Sequence, residues 1–120
     1  KEINDTYGHP VGDEVLETTG DLIEEKTRSS DVCGRYGGEE FALVLPETPL
    51  KGARITAERL RKSLANKTFE SEKDEEFDVT CSIGIAEYRP SIDDPEVLLE
   101  EADDALYEAK ETGRNQVVEA

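Results

Sequence analysis

Positive charge is scarce in this chain: 14 Lys and Arg stand against 30 Asp and Glu in 120 residues, a formal net charge of −16. Phosphate backbones are held by surplus cations, so this balance argues against general nucleic-acid binding, and any phosphate ligand needs a local cation. Long apolar runs are missing too. Nothing approaches the roughly 20 residues of a membrane span, and the first residues lack the charged-then-apolar layout of a signal segment, so the chain as given reads as soluble. Cysteine occurs only at Cys33 and Cys81, neither in a CxxC pair nor near the single histidine, His9. Zinc and redox chemistry therefore have no support, and two reduced, mostly buried thiols are expected.

The apolar residues that are present, 35% of the chain against 37% charged, fall in periodic runs. That pattern predicts a compact fold rather than disorder, of a size suited to one domain. After Pro10, Val11, Val15, Leu16, Thr19, Leu22 and Ile23 recur near a period of 3.6, which predicts a helix to about Arg28. Short apolar runs at 31–36 and 41–45, separated by Gly37-Gly38, predict a β-hairpin. Ala53, Ala57, Leu60 and Leu64 mark a second helix over 50–65. The acidic stretch 68–76 reads as a solvated loop with Phe69 its one core residue. Val79, Cys81, Ile83 and Ile85 alternate, predicting a strand over 78–87, with Gly84 marking a bulge or a close backbone approach. Asp94-Pro95 opens a third helix, whose inner stripe is Leu98, Ala102, Ala105 and Ala109 and which Gly113 ends. A short strand at 116–119 closes an order of helix, strand, strand, helix, strand, helix, strand. An α+β fold with an antiparallel sheet flanked by helices fits.

Chemistry concentrates at the hairpin tip. Two glycines followed by Glu39 and Glu40 make either an ordinary solvated turn or a place where phosphates come close to backbone while adjacent carboxylates hold a hard divalent cation. Magnesium suits the second case, because it binds one or two carboxylates together with substrate phosphates and so lets an acidic protein take an anion such as GTP.

Gly37-Gly38-Glu39-Glu40-Phe41 does not stand alone. Lys1-Glu2-Ile3-Asn4-Asp5-Thr6-Tyr7-Gly8-His9 with Gly12-Asp13, then Arg35-Tyr36, the block 57–61, Val79 to Gly84, Ala102 to Lys110 and Gly113-Arg114-Asn115 follow in the order and spacing of the GGDEF family. On these motifs the chain resembles the catalytic domain of diguanylate cyclases over nearly its whole length. The resemblance implies a nucleotidyl cyclase, polymerase-palm-like (ferredoxin-like) fold over residues 1–120. It implies condensation of two GTP molecules into cyclic di-GMP and pyrophosphate, with Mg2+ or Mn2+ as cofactor. Glu39 is then the proton acceptor and a metal ligand, and Glu40 the metal ligand beside it. Lys1, Lys110 and Arg114 are cations for the phosphates, with ordinary surface charge as the alternative, and the last two stand a helical turn apart at the end of the third helix. Gly37 and Gly38 give the phosphates room. Asn4 and Asp13 are the guanine pair, a carboxylate accepting from the two donors of guanine's Watson–Crick edge; first-turn helix stabilisation is the other reading of Asp13. Arg28-Ser29-Ser30-Asp31 has the form and position of the family's RxxD inhibitory site for cyclic di-GMP, with Arg59 a second contact.

The family pattern carries a further strand before Lys1 with another metal carboxylate. The chain therefore reads as lacking its first, N-terminal strand, truncated from a longer parent and inactive alone; cyclic di-GMP made by the 120 residues with GTP and magnesium would overturn that. The resemblance also implies a second GGDEF domain facing the first in a homodimer, an upstream sensor domain, and a cytoplasmic place, at the membrane face if the parent is anchored. Two other readings compete: a non-catalytic receptor binding cyclic di-GMP through Arg28, Asp31 and Arg59, and a structural or interaction domain with no ligand.

Overall fold

A computed structural model describes residues 8–37 and 39–120. The chain divides into two compact units, one running through Pro46 and including Ser63–Val79, the other formed by Glu47–Lys62 and Thr80–Ala120.

In the first unit, helix α1 spans His9–Lys26, with Pro10 in its first turn, where no backbone donor is lost. Its buried face is Val11, Gly12, Val15, Leu22 and Ile23; of the stripe that the 3.6 period predicts, Leu16 and Thr19 are only half-buried. Strands β1 (Val32–Arg35) and β2 (Phe41–Val44) form an antiparallel pair in the register Val32↔Val44 to Arg35↔Phe41. Gly20 of α1 faces β2, where an added Cβ would stand in ordinary contact, 3.9 Å from the Phe41 ring.

The acidic stretch expected to be a loop folds instead. β3 (Thr68–Glu70) pairs antiparallel with β4 (Glu76–Asp78). The Phe69 and Phe77 rings stack with centroids 5.7 Å apart, and Phe69 is buried. The Ser71 hydroxyl ties the turn by accepting from the backbone N–H groups of Lys73 and Glu75. Only one residue of each strand faces inward, too few for alternation to show in the sequence.

In the second unit, α2 (Leu50–Ala65) begins with a cap supplied from elsewhere, its Leu50 N–H donating to the Glu87 carboxylate. The last turn of α2 lies in the first unit. The stripe Ala57, Leu60 and Leu64 is buried as its spacing predicts. α3 (Pro95–Glu111) is capped by Asp94, whose side chain accepts from the Glu96 N–H at 3.0 Å. Asp94→Ala is expected to cost about 1 kcal/mol, read as a lower urea midpoint with unchanged m-value.

β5 is shorter than the strand expected over 78–87, spanning only Ile83–Ile85, because its partner β6 (Val117–Glu119) offers three residues. Their pairing is parallel, a correction to a wholly antiparallel sheet. The cause lies in the connection: α3 carries the chain back across to the starting end, and a helical crossover makes its two strands run the same way. α3 packs on β5 so closely that a Cβ on Gly84 would stand 2.2 Å from the Ala102 carbonyl oxygen and 2.3 Å from the Leu106 nitrogen. Gly84 therefore marks a close approach, not a bulge.

Cys33 is exposed on β1, a strand exposed at all its residues, and Cys81 is half-buried, so the expectation of two mostly buried thiols fails for Cys33. Burial pushes the Cys81 thiol up to about 11, with the nearby Arg61 opposing the rise.

Candidate functional site

The hairpin tip takes its shape from β1 and β2. Residues 36–40 connect the strands, and Tyr36 donates its backbone N–H to the Glu40 carbonyl at 2.7 Å, closing the loop. Gly37 has φ +86°, a conformation that a side chain disfavours, and no atom lies within 4 Å of where its Cβ would be. Among the described residues, nothing beyond its chain neighbours fills the space beside Gly37. After the two glycines come Glu39, exposed, and Glu40, half-buried. Among the described residues no group of three or more His, Cys, Asp or Glu side chains converges as a self-sufficient cation site. Glu39 and Glu40 are neighbours in the chain, and a carboxylate pair of this kind needs oxygens from phosphates and water to complete the shell of a magnesium-type ion.

Asp13 is exposed in the second turn of α1, and the first turn carries no acid, which removes the first-turn explanation for it. Lys1, Asn4 and Gly38 lie outside the described residues. Lys110 is in the last turn of α3, where the carbonyl end of a helix favours a cation. Arg114 does not share that helix, a correction to the spacing expected of it. α3 ends at Glu111, and Gly113, Arg114 and Asn115 follow with φ of +127°, +60° and +46°. The run is closed by the Arg114 N–H donating to the Ala109 carbonyl at 2.8 Å. This is the left-handed helix stop that glycine permits, and it turns Arg114 off the helical register.

Arg28 and Asp31 are brought together in the turn between α1 and β1. Asp31 accepts from the Arg28 backbone N–H at 2.8 Å and from its Nη2 at 3.0 Å, and the same Nη2 donates to the Pro46 carbonyl at 2.9 Å. The carboxylate is covered, 4% exposed, while the guanidinium is 57% exposed and presents an edge to solvent. Beside them a shallow depression is lined by Gly20, Glu24, Thr27, Ser29 and Cys33. Arg59 is exposed on α2, in the second unit. The Pro46 acceptor and the lining residues carried no signal in the sequence, because they depend on how the hairpin folds back.

The guanidinium hydrogen bond, and then the backbone one, hold the Asp31 carboxyl below its ordinary value of 3.8. With the folded value below the unfolded one, the ionised pair contributes stability above pH 3.8, lost as pH falls through the lower folded value. Carboxyl titration followed by NMR is expected to give an Asp31 midpoint below 3.8 that rises in Arg28→Ala; an identical midpoint in both proteins would contradict the pairing.

Residues 1–116 match the family model described as "Diguanylate cyclase, GGDEF domain". Diguanylate cyclase A of Treponema denticola is 44% identical over 119 residues, covering 98% of this chain and 31% of that protein. The GGDEF domain of DgcB from Caulobacter crescentus, solved in complex with c-di-GMP, superposes with a TM-score of 0.93 at 32% identity, covering 98% of this chain and 70% of that one. The active GGEEF domain of a diguanylate cyclase from Vibrio cholerae superposes with a TM-score of 0.89 at 35% identity, covering 98% and 73%. The fold is that of the nucleotidyl cyclases, the palm-like α+β class. Within that class, the chain belongs to the GGDEF family. It spans about a third of the length of the Treponema relative.

Proposed function

We propose that the protein is a diguanylate cyclase, joining two GTP molecules into cyclic di-GMP with release of pyrophosphate, and that residues 1–120 act as one GGDEF domain. The observation that carries this reading is the hairpin turn closed from Tyr36 to Glu40, which holds Glu39 and Glu40 in succession close behind the positive-φ Gly37.

Each 3′-hydroxyl attacks the α-phosphate of the other nucleotide. The O3′–P bond forms, the bond to the β-phosphate oxygen breaks, pyrophosphate leaves, and the hydroxyl proton passes to Glu39. Glu39 and Glu40 would hold a magnesium or manganese ion, whose charge offsets that of the triphosphate. Lys110 and Arg114, with Lys1 as the family match has it, supply the local cations that a triphosphate needs on a chain of net charge −16. Gly37 and Gly38 leave space for phosphate oxygens against the backbone, and Asn4 and Asp13 read guanine. Two such domains, each carrying one GTP, must face one another, so a homodimer and an upstream sensor that controls its assembly belong to the reading. Among the described residues no helix is long and apolar enough to cross a membrane. A cytoplasmic place, at the membrane face if the parent is anchored, belongs to the same reading as a proposal.

The exposed Arg28 edge, pre-set by Asp31, would bind the product, with Arg59 as a second contact, and restrain synthesis. Turnover of GTP with magnesium by the full-length protein tests the cyclase reading; absence of cyclic di-GMP under conditions where a second family member makes it would sink it. Calorimetric titration with cyclic di-GMP tests the inhibitory site. Arg28→Ala is expected to weaken binding about 10- to 100-fold through loss of charge-assisted hydrogen bonds, and unchanged affinity would remove that role.

A further inference from the structure

Arg61 and Asn115, 54 residues apart, are joined by a hydrogen bond that the cyclase reading leaves without a purpose. Arg61 donates from Nη1 to Asn115 Oδ1 at 2.9 Å and from Nη2 to Glu58 Oε2 at 2.9 Å. Its side chain is 18% exposed. Asn115 also donates its backbone N–H to the Ser82 hydroxyl at 3.2 Å, which ties the same residue to the segment leading into β5. What these contacts hold is an unfavourable piece of backbone: Arg114 and Asn115 are two successive non-glycine residues with positive φ. L residues leave that region unless their surroundings keep them there.

We infer that Arg61 is a positioning residue for Arg114: by pinning Asn115 it keeps the left-handed turn that fixes where the Arg114 cation starts from the end of α3. This rests on the assignment of Lys110 and Arg114 to the triphosphate. Removing the bond lets the turn relax toward ordinary φ values and displaces the Arg114 Cα, while Lys110, inside α3, keeps its place. The loss is therefore partial and falls on nucleotide binding rather than on proton transfer at Glu39. Asn suits position 115 twice over, because it tolerates the left-handed region and offers an oxygen to Arg61.

The test is steady-state kinetics of the full-length protein with GTP at saturating magnesium, for the parent, Arg61→Leu, Asn115→Gly, Asn115→Asp and the Arg61→Leu/Asn115→Gly double variant. Glycine keeps the backbone conformation available and removes the Oδ1 acceptor, leaving only the long 3.5 Å contact from Arg61 to the backbone carbonyl of residue 115, whereas aspartate keeps conformation and acceptor alike. KM is expected to rise about 10-fold in Arg61→Leu and in Asn115→Gly with kcat within about twofold, the double variant to be no worse than either single, and Asn115→Asp to stay near the parent. Should Arg61→Leu fail to fold because Glu58 loses its partner, Asn115→Gly, at an exposed residue, decides alone. A parent that turns over GTP together with an unchanged KM in Asn115→Gly overturns this inference and leaves the cyclase reading standing. Equal damage in Asn115→Gly and Asn115→Asp also overturns it. A parent that turns over no GTP overturns both.

Discussion

Glu39→Gln is expected to lower cyclic di-GMP formation by the full-length protein about 10^2- to 10^4-fold, the range associated with loss of a positioned general base. Glutamine preserves the length and planarity of the side chain and its ability to hydrogen-bond. It removes the two properties the reaction asks of this position, a basic oxygen that can take the 3′-hydroxyl proton and a negative charge that can share a divalent cation. The loss should therefore fall on kcat if proton acceptance is the main contribution, and extend to KM for GTP to the degree that the nucleotide is held through the shared ion. Stability is the control. Glu39 is exposed within the turn, and exposed substitutions commonly stay within about 0.5 kcal/mol, so the melting temperature of the variant should match that of the parent. Chromatographic quantification of product under single-turnover conditions separates chemistry from release. A kcat within about tenfold of the parent would remove Glu39 from proton transfer and leave the turn a structural feature.

Gly84→Ala is expected to be the most destabilising single-methyl addition in the second unit. The new carbon would fall 2.2 Å from the Ala102 carbonyl oxygen, 2.3 Å from the Leu106 nitrogen and 2.9 Å from the Ala105 carbonyl carbon. All three are backbone atoms of α3, so no side-chain rotation can relieve the overlap; helix and strand must separate. Overpacking of a closed interior costs about 1–3 kcal/mol when side chains can adjust, and here they cannot, so a loss of about 3 kcal/mol or more is expected. For a chain of this size that corresponds to a melting temperature lower by on the order of 10 °C. Gly34→Ala is the matched control, since no atom lies within 4 Å of its added Cβ. Thermal unfolding of the two variants side by side checks the argument. Equal, small shifts would show that α3 does not rest on the β5 backbone as described.

The helices were legible in the sequence because each buries a stripe that its own residues define. Val11, Val15, Leu22 and Ile23 sit inside α1 at the spacing they show on paper, and the Asp94-Pro95 pair announces the start of α3 through a cap that needs only local backbone. The turn at Gly37 was legible for the same reason, as a positive φ is a local demand that glycine answers. The short strands were not. Phe69 and Phe77 make a hairpin out of an acidic stretch only by stacking on one another, and the ends of β5 are set by the three residues β6 can offer.

Site residues divide along the same line. The residue types at the hairpin tip, at Arg28 and Asp31, and around Lys110 and Arg114 were visible as motifs, and the family to which the chain belongs follows from their order. The sequence alone determined those identities, the helical faces and the glycine-permitted turn, since each depends on neighbours within a few residues. Only the tertiary structure decided that β5 and β6 run parallel, that Arg114 leaves the helix in a left-handed turn, that Pro46 receives a hydrogen bond from Arg28, and that Arg61 reaches Asn115. Each of these needs a partner far away in the chain, and nothing in a local pattern records which distant partner a backbone or guanidinium group will meet.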